Sequence, residues 1–144
     1  MRARSRHELS ARLSRNGHPQ AEVAAALDRL TELRYLDDER FARDRALMLL
    51  REGQHGGAAV LKRLAAHGLT PEQARRALAD ASAELSFDPV AAARALLGKK
   101  GLGGALSAKE RARAARLLHS RGFGEDVVLR LLGDPALDPP APDD

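Results

Sequence analysis

Residues 61–78 read LKRLAAHGLTPEQARRAL, with Gly68 between two stretches in which apolar residues recur every three or four positions. Leu64 precedes this glycine by four residues, and Ala74 and Leu78 follow it by six and ten. Such spacing places apolar side chains on one face of each of two helices, and a glycine provides the left-handed conformation that ends the first helix. The stretch therefore predicts a helical hairpin.

The same frame occurs around Gly17 and Gly122, which lie 51 residues before and 54 residues after Gly68. Repetition at such a period is typical of helical repeat proteins, in which each unit buries its apolar face against its neighbours. At eight and four residues before the glycine and six and ten after it, the three copies carry Leu9, Leu13, Val23 and Leu27; Val60, Leu64, Ala74 and Leu78; and Ala114, Leu118, Val128 and Leu132.

Capping signals indicate where the helices begin. Capping boxes are predicted where a Ser or Thr precedes a Glu or Gln by three residues, at Ser5, Thr70 and Ser107. At a shared offset from their glycines, Leu36-Asp37 and Phe87-Asp88 each precede a third helix, and Leu36 and Phe41 are placed as a hydrophobic staple around an Asp37 cap. The predicted helices are 6–16, 20–33, 38–52, 57–67, 71–84, 89–98, 108–120 and 125–132.

These observations predict an all-α protein in which tandem three-helix repeats stack into an elongated, curved array. Residues 1–55 form the first repeat, residues 56–104 the second, and residues 105–133 a partial third. Residues 134–144 (DPALDPPAPDD) are predicted to be a disordered acidic Pro-rich tail, because so polar a segment cannot bury enough apolar surface to offset the entropy of ordering.

Composition excludes several classes of protein. The 144 residues include no Cys, which excludes disulfides, thiolate zinc sites and Cys nucleophiles, and only 3% are aromatic, which disfavours a sheet. No apolar run approaches the roughly 20 residues of a membrane span. We expect a cytoplasmic monomer with no membrane contact.

The charge is unevenly divided. The chain holds 24 Lys and Arg against 20 Asp and Glu, and the four Asp of residues 134–144 leave +8 on residues 1–133. A body of this charge predicts an electrostatic contact with DNA phosphates or with an acidic protein groove.

Three segments carry a resemblance to a known family: RYLDDERFA at 34–42, LKRLAAHGLTPEQARRAL at 61–78, and RAARLLHSRGFGEDVVLRLL at 113–132. Together they resemble the RecX family of RecA regulators, over about Ser5 to Leu132. The resemblance implies a protein of tandem three-helix repeats that binds the RecA filament on DNA and inhibits the ATPase, recombinase and co-protease activities of RecA.

The chain departs from the family pattern in two places. Family members carry a further apolar helix before the position of Ser5, so we expect the first repeat to lack an upstream helix. The family loop that corresponds to residues 53–60 carries an aromatic residue and several positive charges, whereas this loop reads GQHGGAAV.

No catalytic, cofactor or metal site is predicted. The acids Asp37, Asp38 and Glu39 are explained by the preference of a helix N-terminus for negative charge, and the five His residues have no zinc-like spacing. The Gly-rich stretch 98–104 lacks the Gly-Lys-Ser/Thr of a phosphate-binding loop. We therefore predict a protein that is not an enzyme.

Basic residues on predicted helix surfaces are the candidate contacts to RecA or DNA. Aromatic residues at the helix junctions (Tyr35, Phe41, Phe87 and Phe123) are expected in the core, so contact with DNA should be weak and independent of sequence. The alternatives are a basic helical-repeat protein that competes for DNA and a general protein-interaction adaptor. The candidate contact residues are Arg43, Arg51, Lys62, Arg63, Arg75, Arg76, Lys99, Lys100, Lys109, Arg113 and Arg116.

Overall fold

The computed structural model describes residues 15, 17 and 19–134, and all of its regular elements in that part of the chain are α-helices. The all-α prediction is confirmed. Of the predicted helix 6–16 only Arg15 is described, and it is helical. Of the predicted tail only Asp134 is described. Six helices follow one another: α1 (Gln20–Arg51), α2 (Gly57–Ala66), α3 (Pro71–Leu85), α4 (Pro89–Lys99), α5 (Ala108–Ser120) and α6 (Glu125–Leu132).

Side-chain caps begin three of these helices as the sequence predicts. Thr70 and Gln73 form a complete capping box on α3, and Ser107 and Glu110 form one on α5. The Asp88 carboxylate accepts hydrogen bonds from the first backbone N–H groups of α4, at 3.0 and 3.3 Å. These contacts satisfy donors that have no partner within the helix, which explains the agreement of the helix starts with the prediction. The box predicted at Ser5 lies outside the described residues.

The repeated glycines end helices as predicted. Gly68 follows α2 with a φ of +85°, and Gly122 follows α5 with a φ of +82°. Gly17 has the same conformation, with a φ of +79°. Only glycine adopts this left-handed region without a steric cost from Cβ, so the position requires it.

One predicted helix break is absent. The predicted helices 20–33 and 38–52 leave a break at residues 34–37, with Asp37 as a cap, but α1 continues from Gln20 to Arg51. Asp37 therefore lies inside a helix, and the predicted staple of Leu36 and Phe41 does not form. Residues 34–40 contain no Gly or Pro to interrupt the backbone hydrogen bonds, and most of them favour helix.

The chain divides into two compact units, residues 1–40 and residues 41–144. In the described part of the first unit, Val23 and Leu27 are buried, at the two frame positions that follow Gly17. The hydroxyl of Thr31 donates a hydrogen bond of 2.8 Å to the Leu27 carbonyl.

The second unit holds two apolar clusters, each built from three helical segments. In the first cluster, the C-terminal half of α1 packs with α2 and α3, and Val60 and Leu64 are fully buried. In the second, α4 packs with α5 and α6, and Leu96 and Leu118 are fully buried. Phe87 packs against the first cluster and Phe123 is buried in the second, as predicted for both.

This grouping differs from the order of helices in the predicted repeats. The predicted helix 38–52, assigned to the first repeat, shares its core with α2 and α3. In the same way α4, assigned to the second repeat, shares its core with α5 and α6. The boundaries 1–55, 56–104 and 105–133 stay predictions, because a shared core identifies packing partners and not the limits of a repeat.

The two clusters meet where the start of α2 approaches the end of α5. The backbone N–H of Gly56 donates to the Arg121 carbonyl at 2.7 Å, and the N–H of Ala58 donates to the Gly122 carbonyl at 3.1 Å. The Arg121 guanidinium also donates to the side-chain oxygen of Gln54. Donors at a helix N-terminus and carbonyls after a helix C-terminus thus satisfy one another. We name this contact the glycine junction, formed by residues 54–59 and 121–123.

Candidate interaction surface

All eleven candidate basic residues are exposed. They lie on α1 to α5 and in the turn that follows α4. Which of them contact a partner stays a prediction. Arg43 and Arg51 belong to α1, Lys62 and Arg63 to α2, Arg75 and Arg76 to α3, Lys99 and Lys100 to the end of α4, and Lys109, Arg113 and Arg116 to α5.

Two of these side chains are already engaged within the second unit. The Arg43 guanidinium lies 3.6 Å from the Glu84 carboxylate of α3, and the Arg76 guanidinium lies 3.4 Å from Glu72, one helical turn away. Both pairs are exposed, so each contributes little to stability. The paired acids nevertheless reduce the positive potential that these arginines present to a partner.

The three basic residues of α5 share one face of that helix. Lys109, Arg113 and Arg116 are spaced by four and three residues, whereas Ala114 and Leu118, which are fully buried, lie on the opposite side. We name Lys109, Arg113 and Arg116 the α5 strip. Packing of α5 on the second cluster therefore directs the strip toward solvent.

Glu110 is the one acid within α5, and it is held by the helix cap. The Ser107 backbone N–H donates to Glu110 Oε1 at 3.0 Å. This hydrogen bond, with help from the Ser107 hydroxyl and the positive charge of Arg113, lowers the pKa of the Glu110 carboxyl against a small opposing effect of burial. Because the folded pKa is the lower one, the contribution of this carboxylate to stability is present at neutral pH and is lost as the pH falls through that lowered pKa.

The sequence does not distribute charge evenly over the described helices. Residues 20–88 hold ten Lys and Arg against twelve Asp and Glu, whereas residues 89–133 hold nine against three. The segment of α4, α5 and α6 therefore carries +6, and the segment that includes α1, α2 and α3 carries −2. The net charge of residues 1–133 does not reveal this division, whereas a count of charges by segment does.

The side chain of Lys99, in the second cluster, approaches the turn that follows α1 in the first cluster. Its ammonium lies 3.9 Å from the position that a Cβ would occupy on Gly53, in the turn after α1. This places a positive charge close to the C-terminal end of α1, where a helix favours cations. Lys99 is the last residue of α4, and Lys100 is the C-cap residue that follows it.

The loop from Gly53 to Gly56, between α1 and α2, contributes packing contacts. His55 is buried, and its Nε2 lies 2.9 Å from a carboxylate oxygen of Glu52. Gly56 is also buried, at the glycine junction. The sequence has no periodic pattern that would predict contacts of this kind.

Two aromatic residues expected in the core are on the surface. Tyr35 and Phe41 are each 45% exposed, and Leu36 between them is 56% exposed. The Phe41 ring contacts the His67 ring edge to face, with centroids 5.3 Å apart. These exposures follow from the uninterrupted helix α1, and the absence of Gly and Pro from residues 34–40 was the signal that could have predicted them.

The acidic and histidine residues form no metal centre within the described residues, where no group of three or more potential ligands comes together. In the same part of the chain, no helix is both long enough and apolar enough to cross a bilayer.

Comparisons with known proteins identify similar sequences. A family model described as "RecX, first three-helix domain" matches residues 1–30. The "Regulatory protein RecX" of Herminiimonas arsenicoxydans is 30% identical over 127 residues, which cover 88% of this chain and 80% of that protein. The protein of the same name from Stenotrophomonas maltophilia is 35% identical over 130 residues, or 90% of this chain and 77% of the relative. No solved structure matches.

Proposed function

Since this chain belongs to the RecX family, we propose that it is a regulatory protein that binds the RecA filament on DNA and inhibits RecA. The relatives' shared name and their alignment over most of the chain carry this proposal. The activities inhibited are the ATPase, recombinase and co-protease functions of RecA in the cytoplasm. In this role the protein acts by binding and catalyses no reaction.

The arrangement of the second unit supports a binding mode of this kind. Two apolar clusters joined at the glycine junction present several solvent-facing helix surfaces, which suits contact with a repeating protein surface. By binding to adjacent RecA subunits at once, the protein would oppose the subunit movements that accompany ATP hydrolysis and filament growth.

The DNA-dependent ATPase of RecA tests the proposal. The protein is titrated into RecA filaments on single-stranded DNA at low salt, and co-sedimentation with the filaments is measured in parallel. We expect the ATPase rate to fall as the protein enters the pellet. An unchanged rate and unchanged filament length at saturating protein would refute the proposal.

Competition for DNA is the alternative function, and the +6 of residues 89–133 is the observation that favours it. A competitor would bind DNA tightly without RecA, and excess DNA would relieve its inhibition. A filament-bound regulator would still inhibit RecA in excess DNA, provided that RecA remains saturated with DNA.

The acidic tail allows a prediction about either function. Deleting residues 134–144 removes four Asp and should strengthen binding to a polyanion such as heparin by about threefold to tenfold at low salt, because a tethered acidic segment competes for the basic surface. Fluorescence anisotropy measures the affinity. A full-length variant with the four Asp changed to Asn is the matched control, and it should bind as the deletion does. Unchanged affinity in both variants would exclude masking by the tail.

A further inference from the structure

Positive charge is concentrated in residues 89–133, which form the second cluster. Residues 89–133 carry nine basic and three acidic residues, and residues 20–88 carry slightly more acid than base. At physiological salt, charges separated by more than about 8 Å are largely screened from one another. The site at which a polyanion binds is therefore decided by the balance of nearby positive and negative charges, and not by the net charge of the chain. The eleven candidate residues are therefore not equivalent.

The acids nearest the α5 strip have partners of their own. Glu110 is engaged by Ser107 at the start of α5. Glu125 lies 3.2 Å from His119, beyond the last residue of the strip. Arg113 acts electrostatically on Glu110, but the ion pairs of the described residues include none with Lys109, Arg113 or Arg116. All three side chains are exposed.

The spacing of the strip suits a linear polyanion. Residues three and four apart in a helix are separated by about 4.5 and 6 Å along its axis, so the three charges follow one another over about 10 Å. Arg is well suited to bidentate contact with phosphate. The only aromatic residue of the second cluster, Phe123, is 4% exposed, which leaves no ring there for stacking on bases.

We propose that the α5 strip, Lys109, Arg113 and Arg116, is the surface by which this protein contacts the phosphate backbone of DNA, and that the basic residues of α2 and α3 do not contribute to that contact. The contact is independent of base sequence, because it involves phosphates alone. The inference deepens the proposed function by assigning the DNA contact of the RecA complex to one helix, but its test uses DNA without RecA and can fail separately.

The test compares two triple variants of the full chain. K109Q/R113Q/R116Q removes the strip, and K62Q/R63Q/R75Q removes the same number of charges from exposed positions on α2 and α3. Affinity for a fluorescent oligothymidylate is measured by anisotropy between about 50 and 300 mM salt. Far-UV circular dichroism confirms that both variants fold, as their exposed positions lead us to expect.

Removing three phosphate contacts should lower the salt slope by about 2 and weaken binding by about 100-fold at 100 mM salt, since each contact on single-stranded DNA contributes about 0.7 to the slope. The control triple should change affinity by less than about threefold. Equal losses in both triples, or no loss in the strip triple, would overturn the inference. If the strip triple failed to fold, single substitutions that each lower the slope by about 0.7 would support the proposal, and unchanged slopes would refute it.

The RecA ATPase of the same variants separates this inference from the proposed function. A strip triple that loses DNA affinity but still inhibits RecA supports the assignment of the strip to DNA. A strip triple that binds DNA normally but no longer inhibits RecA would overturn the inference, because the strip would then contact protein.

Discussion

Replacing Gly122 by Ala is expected to destabilise the second unit by about 2–5 kcal/mol, whereas the same change at Gly68 should cost about 1–2 kcal/mol. Both glycines occupy the same position of the repeated frame, and their φ values are +82° and +85°. Both substitutions therefore carry the same cost of a left-handed residue with Cβ. The difference between them reports the packing at the glycine junction.

The neighbourhoods of the two glycines differ in one respect. A Cβ on Gly122 would lie 2.6 Å from the Ala59 Cβ and against the Ala59 backbone nitrogen, whereas a Cβ on Gly68 would meet nothing within 4 Å. The backbone of α2 would have to move to relieve this overlap, and the hydrogen bond from Ala58 to the Gly122 carbonyl would be strained with it.

Urea unfolding followed by far-UV circular dichroism measures both variants against the unaltered protein. Gly56→Ala provides a second probe from the other side of the junction, because its Cβ would lie 2.7 Å from the Phe123 nitrogen. Equal destabilisation by Gly68→Ala and Gly122→Ala would show that the junction contributes nothing beyond the conformation of the turn.

Truncating a central leucine of either cluster is expected to cost about 2–5 kcal/mol, because a buried Leu→Ala change removes apolar contacts and leaves a cavity. Leu64 and Leu118 are equivalent in the frame, and both are fully buried. Leu64→Ala tests the first cluster, and Leu118→Ala tests the second.

Leu36→Ala is the matched control for these truncations. Leu36 is 56% exposed, so its removal should change the free energy of unfolding by no more than about 0.5 kcal/mol. The predicted staple around Asp37 would instead make Leu36 costly to remove. Thermal and urea unfolding of the three variants distinguish these results, and a loss at Leu36 as large as that at Leu64 would contradict the exposure seen in α1.

The helical hairpins were predictable because their signals are local. A left-handed glycine, an apolar position every three or four residues and a capping box all act within one or two turns of helix. The starts of α3 and α5 follow from Thr70 and Ser107, whose caps are complete. The frame also identified Val60, Leu64, Ala114 and Leu118 as buried positions, and each is fully buried.

The break expected near Asp37 shows where a local signal was insufficient. An Asp followed by acids is typical of a helix start, yet the same residues are tolerated inside a helix when no Gly or Pro interrupts it. The local sequence of residues 34–40 is therefore compatible with both a helix start and a helix interior. The continuous α1 leaves Tyr35, Leu36 and Phe41 exposed, where the interpretation as a cap and staple would have buried them.

The candidate surface was predictable in composition but not in arrangement. All eleven basic residues are exposed, as helix periodicity indicated, but the pairing of Arg43 with Glu84 joins residues of different helices. No spacing rule connects positions 41 apart in the sequence. Likewise, the sequence does not show that Glu110 is held by its cap and that Glu125 lies beside His119, so that neither acid forms an ion pair with the α5 strip.

By itself the sequence determined the all-α class, the repeated hairpins, most helix starts and the family, because periodicity, glycine turns and caps act within a few residues. Only the tertiary structure decided which helices share a core and that the turn at Gly122 closes against Gly56 and Ala59. The physical reason is that these contacts join residues of different helices, which at the glycine junction lie more than sixty positions apart. They depend on the shapes of the packed surfaces and on backbone hydrogen bonds. Neither can be read from the sequence, because a small residue that makes such a contact looks the same as one that does not.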